Sequence, residues 1–246
     1  LYASLFHQCV AGPIVRYKTV AHELFVFRDN TKSLLPGISR FSIGLAKKCL
    51  LANPCGLLAD TFLISASTLS DVSKFAENLT SLSSLSVAGA WIGILAFALQ
   101  IYLDFSAYSD MAIGMGWMIG LHYNENFNYP MISKSVTEFW RRWHISLGTF
   151  FRDYVYIPLG GNRCSTGRNI FNIFVVWALT GLWHGASWNF VLWGLYFFLF
   201  LILEKYLLHK VLEKTPVLPH IYLIFVVLFG WVLFYYSDIR MMATVM

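Results

Sequence analysis

The chain has 246 residues, of which 57% are hydrophobic and 13% charged, with 18 Lys and Arg against 13 Asp and Glu. That charged share is about half of what a soluble domain carries, and mean hydropathy is +0.59. The balance excludes a disordered tail, a collagen, a coiled coil and a nucleic-acid arm, and too few polar groups exist to cover a soluble surface. The expected class is a polytopic membrane protein. The formal charge of +5 sits in short clusters between apolar runs, where lipid headgroups meet it, and does not indicate a nucleic-acid partner. Cys9, Cys49, Cys55 and Cys164 form no CxxC pair and are read as free thiols or small buried hydrophobes. The chain begins at Leu1 with no signal peptide, which is read as a partial chain of a larger protein.

In chain order, Ile38 to Ser67 is expected to form a span kinked at Asn53–Pro54. The Ser-rich connection from Asp60 to Ser86 follows. Val87 to about Leu121 reads as one long span, or one broken near Asp104–Ser109. Asp104 and Asp110 are expected to pair with polar groups on neighbouring helices, because six residues apart they do not share a helical face. Val136 to Tyr156 carries Phe139, Trp140, Trp143, Leu147, Phe150, Phe151 and Tyr154 at three- and four-residue intervals. It predicts one amphipathic interfacial helix, with Glu138 placed to pair Arg142 and with Pro158 and Gly160-Gly161 as its stop.

Asn169 to Leu203 is 35 residues without Asp, Glu, Lys or Arg. As one straight helix it would measure about 50 Å, against a hydrocarbon core of about 30 Å. Gly181 and Gly185 flank His184 in its middle. Two shortened helices, or a re-entrant pair, are expected to meet there at membrane depth. Thr215 to Ser237 is a plain single span. The basic groups Arg16–Lys48, Lys134–Arg168 and Lys205, Lys210 and Lys214 are assigned to the cytoplasmic side, and the Ser-rich segment to the outside.

His184 stands out as a titratable group inside an apolar run, and such groups are functional by default. It is read either as a general base or as a neutral imidazole hydrogen-bonded between helices. His144, after Arg141-Arg142-Trp143, is read on pattern alone as a headgroup-level histidine. None of the seven histidines has zinc-type spacing, and neither a phosphate loop nor a GxSxG elbow is present.

Four segments occur together and in order: Gly12-Pro13-Ile14-Val15-Arg16-Tyr17; Gln100 through Gly114 (QIYLDFSAYSDMAIG); Glu138 to Leu147 (EFWRRWHISL) continuing through Phe151-Arg152-Asp153-Tyr154 to Arg163; and Gly181-Leu182-Trp183-His184-Gly185. Through them the chain resembles the membrane-bound O-acyltransferases, most closely the alginate O-acetyltransferase branch. Ala107 stands where related chains commonly have Gly, and Phe197-Phe198 where many have a His-Gly pair. The resemblance implies an all-α polytopic membrane fold, residues 1–246 forming part of a single membrane domain that continues at both ends. It implies a multi-pass enzyme of the bacterial inner membrane, with His184 as the base acting on an acceptor hydroxyl and His144 as a second histidine near the reaction centre. The acyl group comes from a cytoplasmic thioester such as acetyl-CoA, consumed as substrate with no resident cofactor and no metal, through a tunnel. The partners implied are the bilayer and an exported polysaccharide or periplasmic acetyltransferases. Arg141, Arg142 and Arg152 hold a phosphorylated carrier or contact headgroups; Asp153 and Trp183 join them as substrate-binding candidates. Rival readings are D-alanine transfer to teichoic acid and a non-catalytic acyl transporter or scaffold.

Overall fold

The computed structural model describes residues 2, 5–8, 12–25, 31–69, 71–208, 212 and 215–246. Of the positions raised above, Leu1, Cys9, Arg28, Asp29, His209, Lys210 and Lys214 lie outside them. Among the described residues the secondary structure is entirely helical. The helices are α1 (Tyr17–Leu24), α2 (Thr31–Lys47), α3 (Asn53–Leu63), α4 (Ala66–Leu69), α5 (Phe75–Ser83), α6 (Val87–Met118), α7 (Val136–Arg142), α8 (Ile145–Phe151), α9 (Thr166–His184), α10 (Trp188–Leu203), α11 (Leu218–Tyr235) and α12 (Ile239–Val245).

Three of them are long and apolar enough to cross a membrane: α6, α10 with its extension to Leu208, and α11. α6 is unbroken, so the interruption considered near Asp104–Ser109 does not occur. The Ile38–Ser67 segment, expected as a span, is not among the three, because Lys47, Lys48 and Asp60 interrupt its apolar character. Its kink lies one turn earlier than expected. α2 passes into α3 through a π turn at Lys48–Ala52, where the Asn53 N–H reaches back to Lys48 O. The wider turn precedes Pro54, whose ring and missing N–H would strain a regular α-helix.

α2 and α3 lie antiparallel along α6. A Cβ built on Gly37 would stand 2.8 Å from Gly114 O, and one on Gly44 2.8 Å from Ala107 O, so only glycine permits this approach. Ala107, the departure from Gly, is fully buried opposite Gly44, which leaves room for its methyl. Acidic side chains of α6 meet cations of α2 and of the π turn that follows it, as expected: Lys48–Asp104 at 2.7 Å, Lys47–Asp110 at 2.6 Å and Arg40–Asp110 at 2.9 Å. Arg40 also pairs with Glu125 beyond the end of α6.

The break follows His184 as the sequence predicts, at Gly185–Ser187 between α9 and α10, but it lies at one end of the bundle, where Asn189 meets Phe234 O, rather than at mid-depth. Its arms are not shortened. α9 begins at Thr166, three residues before the charge-free run, and α10 continues as a π turn over Glu204–Leu208. Each arm is therefore about 28–32 Å long at 1.5 Å per residue. The two pack closely where a Cβ on Gly181 would collide with Phe190 O. α9 is less apolar than its partner because it buries Asn169, Asn172 and Thr180.

The core is aromatic. Phe139, Trp143, Trp193, Phe197, Trp231 and Tyr236, each at most 4% exposed, pack into one cluster between α7, α10 and α11. At one end of the molecule Tyr236 Oη donates to Leu63 O at 2.9 Å and Asn189 Nδ2 to Phe234 O at 3.2 Å. α12 packs on α5 at this same end. At the other end Lys205 Nζ donates to Asn162 Oδ1 at 2.9 Å and to Asn169 Oδ1 at 2.6 Å. The Ser-rich segment and the Lys205–Asn162 corner thus occupy opposite ends, the arrangement the charge asymmetry requires. Cysteines placed at exposed Ser84 and at Gly167, where a Cβ meets nothing within 4 Å, test this in a background free of reactive native thiols. An impermeant thiol reagent applied outside the cell will label Ser84→Cys and spare Gly167→Cys. Labelling of both, or the reverse pattern, would refute the orientation.

Candidate active site

The single interfacial helix expected over Val136–Tyr156 is instead two short helices and a π turn. α7 is started by Ser135, whose Oγ accepts from Glu138 N at 3.0 Å, while Glu138 Oε2 accepts from Lys134 N at 2.9 Å. This is a variant of the Ser-x-x-Glu capping box. The predicted Glu138–Arg142 pair forms, at 2.9 Å. α7 ends at Arg142, and His144 takes left-handed backbone angles, φ 46° and ψ 54°. α8 then runs back, through a π turn at Arg152–Tyr156, to the Gly160-Gly161 stop, where both glycines have positive φ.

The buried face also differs from an interfacial helix. Phe139, Trp143, Leu147 and Phe151 are buried in protein, while Phe150 and Tyr154 face outward. Both ends of the pair lie at the Lys205 end: Glu204 accepts from Val136 N at 2.5 Å and Thr137 N at 3.1 Å, and Tyr156 Oη accepts from Asn169 Nδ2 at 2.8 Å. The apex at His144 reaches Trp183, at 5.8 Å between ring centroids. The pair that doubles back on itself is therefore α7–α8, with His144 at its tip. Irregular backbone at depth is tolerated there because it is enclosed by protein.

A second, extended segment holds the tip. Asn128 N donates to Arg142 O at 2.9 Å, and Ile145 N donates to Asn126 O at 3.0 Å. The fully buried Asn126 side chain accepts through Oδ1 from Ser146 N at 3.1 Å and Ser146 Oγ at 2.9 Å, and lies 3.2 Å from His144 Nδ1. Burial, with a smaller contribution from nearby His184, pushes the His144 imidazole down to about 3. That shift favours the neutral ring at physiological pH, and its Nε2 has no hydrogen-bond partner among the described residues.

His184 ends α9 in a cage of rings: Trp183 at 4.9 Å, Trp193 at 5.0 Å and Phe234 at 5.2 Å between centroids. Trp183 stands between the two histidines and is 48% exposed. The alternative of a histidine hydrogen-bonded between helices does not describe His184, which makes no hydrogen bond among the described residues. Both histidines line a cavity of about 1820 Å³. Its lining extends from His184 and Phe234 past Trp193 and Trp231 to Lys134, Arg141, Arg152 and Lys205. In large part it is aromatic, with Lys134 and Lys205 at the end where Glu204 caps α7.

The sequence-selected arginines separate. Arg141 lines the cavity, is exposed, and has no ion pair among the described residues. Arg152 lines it too and contacts Asp153 at 2.7 Å. Arg142 lies outside the lining, engaged by Glu138 and by Asn128 O. Asp153 is also outside it. Its carboxyl, held first by Arg152 and then by Arg16 at 2.6 Å, sits at about 2 and is ionised. Arg16 additionally donates to Thr149 O at 2.9 Å, fastening the Gly12–Tyr17 segment to the end of α8. Among the described residues no cluster of His, Cys, Asp or Glu could hold a metal.

The membrane-bound O-acyltransferase family matches residues 1–246. The chain belongs to that family. This O-acyltransferase-family chain is 41% identical over 235 residues to a probable alginate O-acetylase of Azotobacter vinelandii, covering 95% of this chain and 44% of that one. It is 38% identical over 201 residues to a peptidoglycan O-acetyltransferase of Helicobacter pylori, covering 79% and 34%. With a teichoic acid D-alanyltransferase of Bacillus subtilis it shares 28% over 209 residues, covering 80% and 48%. The family chain thus spans less than half the length of these relatives.

Sequence reasoning passed over Asn126 and Glu204. Asn126 lies in a short Asn-Glu-Asn-Phe-Asn run after α6, and Glu204 is the first acid after the 35-residue charge-free run; both were visible as polar punctuation. Glu204 is buried and satisfies two backbone N–H groups that would otherwise be orphaned at the start of α7. Glu204→Ala leaves them unpaired and is expected to cost about 2–4 kcal/mol. A drop of the unfolding midpoint in detergent, with Glu204→Gln intermediate, will register it; an unchanged midpoint would contradict the capping role.

Proposed function

We propose that the protein of which this chain is part is an O-acyltransferase of the bacterial inner membrane that acetylates an exported, alginate-like polysaccharide. The observation that carries this reading is one cavity lined by two histidines together with Lys134, Arg141, Arg152 and Lys205. These cations suit an acyl thioester with phosphate groups, acetyl-CoA or another carrier, arriving from the cytoplasm. The 41% identity to an alginate O-acetylase, against 28% to a D-alanyltransferase, favours acetyl over D-alanyl transfer.

In this reading His184 takes the proton of the acceptor hydroxyl as its oxygen attacks the thioester carbonyl. The tetrahedral oxyanion collapses, expelling a thiolate that takes up the proton. The indole N–H groups of Trp193 and Trp231 are buried, lack hydrogen-bond partners among the described residues and belong to side chains that line the cavity, which makes them candidate donors to the oxyanion. The aromatic walls keep water from the intermediate.

His184→Ala is expected to lower polysaccharide acetylation by at least about 100-fold, with normal membrane levels of protein. Chemical analysis of the exported polymer reads this directly, and retained acetylation would remove His184 from the role of base. The two neighbouring arginines give a separate test. Arg141→Gln should raise the KM for the acyl donor several-fold, whereas Arg142→Gln, losing a pair worth only about 0.3–0.5 kcal/mol, should leave it within about twofold.

A further inference from the structure

The contacts of Asn126 determine more than the shape of the α7–α8 turn. Its side-chain atom facing Ser146 N at 3.1 Å must be the oxygen, because a backbone N–H can only donate. That same oxygen faces His144 Nδ1 at 3.2 Å. An amide oxygen offers no proton, so the bond exists only when His144 carries its proton on Nδ1. The neutral imidazole then has a bare lone pair on Nε2, which has no hydrogen-bond partner among the described residues and belongs to a residue that lines the cavity.

We propose that Asn126 is a positioning residue that locks His144, a residue of the cavity lining, in the Nδ1–H tautomer, which leaves its Nε2 a hydrogen-bond acceptor. Resting on the acyl-transfer reading for its consequence, this assigns His144 to receive a substrate O–H or N–H, and removes it from the donors that stabilise an oxyanion. The faces around His144 leave Asn126 as the group that fixes the ring. Phe105 of α6 packs on it edge-on at 4.7 Å and Trp183 at 5.8 Å, and neither orders the two nitrogens. Ser146 is itself engaged by Asn126. The titratable neighbour is His184, whose charge would act on both ring nitrogens without choosing between them.

Nitrogen-15 NMR of the full-length protein, labelled at histidine and held in lipid nanodiscs at neutral pH, tests the lock without any turnover. His144→Gln identifies the resonances. Nδ1 should appear as a protonated nitrogen and Nε2 as an unprotonated one; the opposite tautomer, or an imidazolium, would overturn the proposal. Asn126→Asp keeps the oxygen in place but adds a negative charge that favours the imidazolium. It should move the His144 titration upward by at least one pH unit and carry the acid limb of the acyl-transfer rate with it, with the acceptor KM changed less than about twofold. An unmoved titration would mean that the side chain at position 126 does not face Nδ1, and this result would also overturn the lock. If the tautomer and titration behave as expected while the rate–pH profile stays fixed, the acceptor role of His144 in acyl transfer fails and the Asn126 geometry stands.

Discussion

A polypeptide that leaves helical geometry inside a low-dielectric region must find partners for the amides and carbonyls it frees, and the tip of α7–α8 depends on that requirement. Trp143 and His144 contain neither Gly nor Pro, and His144 adopts a positive φ that costs an L-residue energy. The tip is nevertheless defined, because Asn126 and Asn128 pair with the backbone on either side of it. The base of the pair is settled by Glu204, which replaces water for the first amides of α7. Remove either set of bonds and His144 loses its place opposite Trp183. One connecting segment and one buried carboxylate therefore position the α7–α8 wall of a cavity otherwise lined by α6, α9, α10 and α11.

The second organising constraint is charge. The α2–α6 interface places Arg40, Lys47 and Lys48 against Asp104, Asp110 and Glu125, three cations against three acids. These pairs are half-buried, and in an apolar setting they favour one register, since sliding α2 along α6 would separate each charge from its partner. The glycine contacts at Gly37 and Gly44 fix the same register by shape. In the cavity lining, by contrast, only some cations are matched: Arg152 meets Asp153, whereas Glu204 is occupied by backbone and Arg141 has no ion pair among the described residues.

Features that depend on runs and local chemistry were legible in the sequence. The spans α6 and α11, the break after His184, the Glu138–Arg142 pair and the glycine stop at Gly160-Gly161 all follow from charge spacing, helical period and breaker residues. What the sequence concealed is long-range. The split at His144 carries no breaker and arises from Asn126, 18 residues away. The true length of α9 and α10 is hidden in the sequence because charged residues read as boundaries there. Arg168 continues a helix by bonding Leu159 O and Asn172, and Glu204 does so by capping another. Arg141, Arg142, Arg152 and Asp153 looked alike as a charged cluster. Only packing distinguishes the two that line the cavity from the two engaged elsewhere.

The charges of α6 also bear on the lipid around it. Counting from Val87, the helix is free of charge for 17 residues before Asp104, a rise of about 26 Å. An ordinary hydrocarbon core is about 30 Å thick. Outward-facing Ile92, Leu95 and Leu99 lie within that stretch. A bilayer meeting this surface therefore has to compress by a few ångströms or let the helix draw headgroups inward toward Lys48 and Asp104. Membrane thickness becomes a variable to which this protein is mechanically coupled, so that acyl-chain length in the surrounding lipid would alter the strain along the wall of its cavity.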